Sequence, residues 1–420
     1  MATKKFTGNA AATFDTWTYQ VVTFSSTSAH GITINGKTVG ITLGTGYTAA
    51  TAADAIQALL AASTYGEFLD YTWTVSTDTI TATAKVAGVS GDMAKASGVS
   101  TNATLTHTVT ATGPNFLDDA ANWTGSTLPA NNDTIVFDQF SPSALYGLDA
   151  LASLTGLTFD IENFANSIGL PAVRGGANNF DPNSGGGYPE YRRRAMYLNA
   201  STPTLNIGRG DQLPARVYIE FGSSCDPAAI NVFGSQDPPA GDRVTINLYG
   251  KTGMDALNVT QGSVGVAAEI GQVGGFTVVR VGAEDSPQTD AFVLFGAGAT
   301  VPSVENQSGR TESGATITAL TLRQRAIQHR QTGGDLTAAT LQGGRTIIET
   351  NATMVLNASG TAVVDCSRDP RPKTISATST FEDDAALIDP AGTVTTMSCT
   401  FAGNSLKRSD LGPSTVVTRP

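Results

Sequence analysis

Cysteine is scarce in this chain: Cys225, Cys366 and Cys399 are the only three in 420 residues. None is spaced Cys-x-x-Cys, which excludes a disulfide scaffold and the usual zinc patterns. Cys366 and Cys399 read either as stacked neighbours or, more plainly, as buried free thiols. Charge is also scarce. Asp, Glu, Lys and Arg make up 15% of the chain, against roughly 25% in an ordinary domain. Basic residues are the minority and the net charge is −11. That balance argues against a phosphate-backbone partner, whose affinity rests on Lys and Arg. No run of about 18 apolar residues occurs, so no membrane-spanning helix is expected. The N-terminal Lys4-Lys5 pair has no apolar segment after it, so the start does not read as a signal peptide.

Catalytic signatures are equally thin. The three histidines, His30, His107 and His329, lie in separate segments. None neighbours a Gly-x-Ser-x-Gly elbow, and no Walker or dinucleotide loop appears in a strand-to-helix setting. The expectation is a protein that is not an enzyme and needs no cofactor or metal. The best enzymatic case is polysaccharide cleavage, which needs two carboxylates about 5–9.5 Å apart. Asp365, Arg368, Asp369, Arg371 and Lys373 form the densest ionisable cluster, with Glu382, Asp383 and Asp384 about one coil later. A corner of solvated charges explains the same pattern more simply. Glu284, Asp285 and Asp290 are acidic enough for calcium but lack the Asp-x-Asp-x-Asp-Gly loop. Aromatics are 7% of the chain, and Trp17, Trp73 and Trp123 read as core fillers.

What the chain does have is glycine (45 residues), threonine and short β-branched runs. Phe276 to Val281, Ala291 to Phe295, Thr316 to Leu322, Leu336 to Leu341, Thr346 to Ile348, Thr353 to Leu356 and Thr361 to Val364 are each too short for a helix and end at turn residues. No helical pattern separates them, so βαβ crossovers are not expected. Gln261-Gly262, Gln307-Ser308-Gly309, Gln331-Thr332-Gly333 and Gln342-Gly343-Gly344 echo one another at intervals on the order of 10–25 residues, the range of solenoid repeats. The reading is a mainly β protein whose second part is a right-handed parallel β-helix with an apolar interior and amide ladders at its corners. An antiparallel sandwich or barrel is the rival.

Residues 1–112 read as a small N-terminal α+β domain that anchors the rest. Gly31 to Val39 carries an Asn35-Gly36 hairpin turn. Thr51 to Ala62 has the spacing of a helix, and strands resume at Tyr71 and Thr79. Gly113-Pro114-Asn115 is the linker. Residues 113–400 form the β-helix, with Trp123 over the open end of its first coil, and residues 401–420 are a polar tail. A long loop at 169–200 breaks the pattern. It leads into Tyr191, Arg192, Arg193 and Arg194, the most basic spot in the chain. That spot reads as a contact with an acidic patch on a partner or a neighbouring subunit, or as a solvated loop base.

Certain stretches also carry a resemblance. They are Thr7-Gly8-Asn9-Ala10-Ala11, Ile34-Asn35-Gly36-Lys37, Thr48-Ala49-Ala50, Asn122-Trp123-Thr124-Gly125, Tyr146-Gly147-Leu148-Asp149, Asn258-Val259, Asn306-Gln307-Ser308-Gly309 and Ser367-Arg368-Asp369. Together they resemble the largely uncharacterised virion-associated β-helix structural proteins of tailed phages and prophages. The resemblance implies a virion component assembled in the host cytoplasm, a capsid decoration or head-fibre protein that is a homotrimer. It implies contacts with the major capsid protein or other virion proteins; the acidic balance and the lack of a long apolar run are the grounds for expecting no nucleic acid and no membrane partner. It supplies no catalytic residues. The alternative is a tail fibre or tailspike that binds host surface polysaccharide, with or without depolymerase activity. A bacterial surface adhesin is a third reading, which the missing signal peptide disfavours.

Overall fold

The computed structural model describes residues 2–24, 27–34, 37–88, 93–99, 101–169, 195–199, 203–239, 242–283 and 289–412. Two long parallel sheets dominate them, one of thirteen strands and one of twelve. From Thr204–Arg209 onward, consecutive strands alternate between the two sheets, and each pairs in parallel with the strand two places later. One strand in each sheet makes one coil, an arrangement compatible with a β-solenoid and excluding the antiparallel rival for this part of the chain. The sequence explains the choice. Period-2 apolar residues separated by Gly turns bury one face of each strand, and among the described residues from Thr134 on no helix is longer than the single turn Ser405–Arg408.

Registry produces columns. Ile135, Phe159, Leu205, Ile230, Leu257, Val279, Val304, Leu320, Ala339 and Leu356 stand one above another in the thirteen-stranded sheet. All are buried, and they belong to one apolar core that runs from Phe6 to Val394. Parallel stacking of identical side-chain faces is what makes that core continuous.

Glycine is required where one coil nearly touches the next. Gly208 has φ +77°, and a Cβ there would collide with the carbonyl oxygen of Gly234. No L side chain tolerates both the left-handed backbone and that approach.

One end of the stack is closed by aromatic packing. Trp123 lies 5.2 Å from Phe6 in an edge-to-face arrangement, and Phe6 lies 5.5 Å from Phe137. The Trp123 ring is buried and donates Nε1–H to the Leu117 carbonyl at 2.8 Å. This is the place expected for Trp123.

Phe6 follows an edge strand, Thr3–Lys5, that pairs in parallel with Thr134–Phe137. Residues 3–6 therefore belong with the long sheet rather than with the segment after them. A short polar strand shows no apolar pattern, so sequence alone grouped it with its neighbours. Asp133 secures it by accepting the Ala2 amide at 2.7 Å. At the other end, Asp410–Leu411 still pairs with Ala386–Asp389, so the stack extends beyond residue 400.

Between the edge strand and Thr134–Phe137, residues 16–109 fold into a four-stranded and a three-stranded antiparallel sheet. The helix Ala49–Ala61 buries Ala52, Ala53, Ile56 and Leu60 in a core of its own with Tyr19, Ile32, Phe68 and Ile80. Its start is set by Thr48, whose hydroxyl accepts from the Thr51 amide, while the Thr51 hydroxyl accepts from the Thr48 amide.

Residues 170–194 lie outside the described residues, and Met196–Leu198 is a strand where the loop was expected to run on to residue 200. Ser167–Ile168 and Met196–Leu198 both pair with the single strand Arg216–Phe221. A parallel sheet admits this because its hydrogen-bonding edge is indifferent to what joins two co-linear pieces.

Candidate functional site

Tyr191, Arg192, Arg193 and Arg194 lie outside the described residues, as do Glu284 and Asp285. The cluster of Asp365, Arg368, Asp369, Arg371 and Lys373 is described in full, and with Arg345 from the preceding coil it is a set of closed ion pairs. Asp365 ends the strand Val363–Asp365 with its side chain fully shielded. It accepts from Arg345 Nη2 at 2.5 Å, from Ser367 Oγ at 2.6 Å and from the Ser367 amide at 3.0 Å. Burial alone would raise its pKa, but these donors outweigh burial and leave it below the usual carboxylate range. Asp369 accepts from Arg371 Nε at 2.9 Å and Nη2 at 2.6 Å, and Arg371 pulls its pKa down to about 2.

Lys373 is wholly buried, yet its ammonium donates to the carbonyl oxygens of Asp369 and Arg371 at 2.8 and 2.7 Å. Pro370 and Pro372, whose rings fix φ, each follow one of the residues whose carbonyls accept from Lys373. Downstream, Asp384 pairs with Arg408 at 3.4 Å, and Asp383 accepts from the Gly360 amide at 3.2 Å. A general acid must hold a proton near neutral pH. Asp365 and Asp369 are both held ionised, so the cluster does the work of a corner staple.

Two arrangements were invisible in the sequence. The first is in the antiparallel part. Asp15, fully buried, accepts from His107 Nε2 at 2.6 Å, Tyr71 Oη at 2.7 Å and Trp17 Nε1 at 2.9 Å. The His107 ring stacks on Trp17 at 3.9 Å with 5° between planes. Tyr71 and His107 stand 56 and 92 residues from Asp15, so no local motif could announce them. The carboxylate ties three strands together. Trp17 is accordingly half-exposed as a ring partner, while Trp73 and Trp123 fill cores as expected.

The second is inside the long core. Along one interior column of the twelve-stranded sheet, Val293 is followed by Thr311, His329 and Thr346 before Val364 restores the apolar run. Thr311 Oγ1 lies 2.9 Å from His329 Nδ1, and His329 Nε2 lies 3.0 Å from Gln331 Oε1. Gln331 Nε2 donates to the Ala315 and Gly333 carbonyls. Its Oε1 must therefore accept, which assigns the imidazole proton to Nε2 and makes Nδ1 the acceptor from Thr311. Desolvation pushes the His329 pKa down to about 4. The ring is neutral at physiological pH.

An amide ladder exists, but on a strand face instead of at the Gln-Gly turns. Asn206 donates to Asp160, Asn231 to Asn206 and Asn258 to Asn231, at 3.0, 3.2 and 3.0 Å. Arg280 then donates to Asn258 at 3.4 Å and to Glu305 at 3.3 Å. Gln331, counted among the turn glutamines from its sequence, sits in the core instead. The thiols of Cys225, Cys366 and Cys399 are free, and burial raises each of them. No protein-family model matches this chain, and no curated protein matches it either.

Proposed function

We propose that this chain is a non-enzymatic structural protein of a tailed-phage virion, exposed on the head as a decoration or head-fibre protein. The observation that carries the reading is the uninterrupted thirteen-stranded parallel sheet. At about 4.8 Å per strand it spans roughly 60 Å. Its charged corner is neutralised internally and its core needs no disulfide. Such a stack resists proteases and shear because each coil is held by both neighbours. On this reading the coils wind right-handed, residues 16–109 are the anchoring unit, and three copies pack laterally against other virion proteins. The basic stretch Tyr191 to Arg194 supplies one of those contacts.

The test is immunogold electron microscopy on particles released from cells that encode the chain, with an antibody raised against it. Gold over the head is the expected result. Gold at the tail tip would move the protein to the tailspike class, and particles without gold would overturn the virion assignment.

A further inference from the structure

A cavity of about 360 Å³ opens at one corner of the stack, where four successive coils meet. That is the small end of ligand cavities, which run from about 300 to 1,000 Å³. Its floor is one outward column of the twelve-stranded sheet, Ser263, Phe292 and Arg310 in register. The half-buried Phe292 packs against Val244, Ala268 and Leu294, which form a small apolar cluster outside the main core. Asp237 and Asp290 stand exposed at the rim.

Two polar groups lining the cavity have no partner among the described residues. Ser263 is 7% exposed, and its hydroxyl has no hydrogen-bond partner among the described residues. The Ser235 hydroxyl beside it is spent, accepting the Ser263 amide at 2.8 Å and donating to the Gln236 carbonyl at 3.0 Å. Arg310, exposed at the end of the column, has no ion pair among the described residues. By contrast Arg243 is held by the Ala268 carbonyl at 3.2 Å and lies 3.8 Å from Glu312. A buried hydroxyl left unpaired costs free energy, so an unpaired one lining an open cavity marks a ligand position.

The signs of charge choose the ligand. An anion would meet Asp237 and Asp290, and a metal ion would meet Arg243 and Arg310. A neutral ring with several hydroxyls meets neither penalty. Each hydroxyl both donates and accepts, so it needs the carboxylates as acceptors and the guanidinium as donor, and its apolar ring face suits Phe292. The geometry points to a saccharide subsite, one sugar ring deep, built on Ser263, Phe292, Arg310 and Asp290. This goes beyond the structural role and needs no bond to be broken.

The test is saturation-transfer NMR of the full chain with a panel of glucose, galactose, mannose, rhamnose, N-acetylglucosamine and N-acetylgalactosamine at millimolar concentration. Transfer to the ring protons of at least one sugar is expected. Ser263→Ala should weaken that sugar roughly tenfold, about the 1.4 kcal/mol of one hydrogen bond, while leaving the melting temperature unchanged or raised. Asp290→Asn, at an exposed position, should weaken it with no change in folding. No transfer from any of the six sugars overturns the inference, and so does equal transfer to wild type and both variants. Neither failure would touch the virion reading, because gold labelling of particles does not depend on this cavity.

Discussion

One buried histidine should make this protein lose stability in mild acid. His329 is completely buried, and its two ring nitrogens are both committed in the neutral form. In the unfolded chain it takes up a proton near its ordinary value of 6.5, while in the folded chain it stays neutral down to about 4. Between those values the unfolded state binds more protons, so stability falls as pH falls. Above 6.5 the full stability is present, and below 4 no further loss comes from this group. The whole shift corresponds to about 3 kcal/mol, of which about 2 kcal/mol is lost by about pH 5. Denaturant unfolding of wild type and His329→Leu at about pH 7.5 and about pH 5 isolates the effect. The variant should be less stable at both, because Thr311 and Gln331 lose their partner. Its further loss on acidification should be smaller than the wild type's by about 2 kcal/mol. His30, whose pKa burial also lowers, is common to both proteins and cancels. An equal pH dependence in wild type and variant would refute the reasoning.

Asn231→Ala should cost about 1 kcal/mol in denaturant unfolding, since it strands the Asn206 carbonyl and the Asn258 amide in a half-buried ladder. Trp123→Ala should cost about 3–5 kcal/mol and raise dye binding to exposed apolar surface, because the end of the core loses its largest ring. Arg345→Ala should cost about 1–2 kcal/mol at neutral pH, with Ser367 and Arg368 still facing Asp365. That deficit should vanish below the usual carboxylate range, where the wild type also loses the contribution of Asp365. A deficit that persists in strong acid would assign the role of Arg345 to packing.

The parallel strands that were legible are those whose interior positions are apolar. Phe276, Val293, Leu320, Leu341 and Leu356 advertised their strands by alternation, and each lies in the core. The strands Arg310–Ser313 and Gln328–Gln331 were silent because their interior positions are Thr311, Ser313, His329 and Gln331. Hydrophobic periodicity cannot report a core position that is satisfied by hydrogen bonds. The loop expected at 169–200 falls largely outside the described residues, and within its last part Met196–Leu198 is a strand whose three residues are too few to show an apolar period. The clustering of Asp15 with Tyr71 and His107 was not, because strand order in an antiparallel sheet is a property of the folded chain. The cluster from Asp365 to Lys373 was legible as a concentration of charge but without its partner Arg345, and only geometry distinguishes charges that cancel from charges left free to react. Of the four subsite residues, Asp290 was legible only as an acidic residue and Phe292 only as part of a strand. Ser263 matters for the partner it lacks, and that lack exists only once the coils are stacked.

Hydrogen-bonded neighbours on adjacent coils are separated by 27 residues at Asn231 and Asn258, by 22 at Asn258 and Arg280, and by 18 at Thr311 and His329. The columns keep step while the chain between them lengthens and shortens, so all the slack is taken up at the corners. The stack thus acts as a ruler graduated at about 4.8 Å, blind to what is spliced between its marks. A peptide inserted at a corner would change what the surface of the stack displays without moving any mark, and groups attached at Thr321 and Thr340, neighbours in one column, would sit one graduation apart.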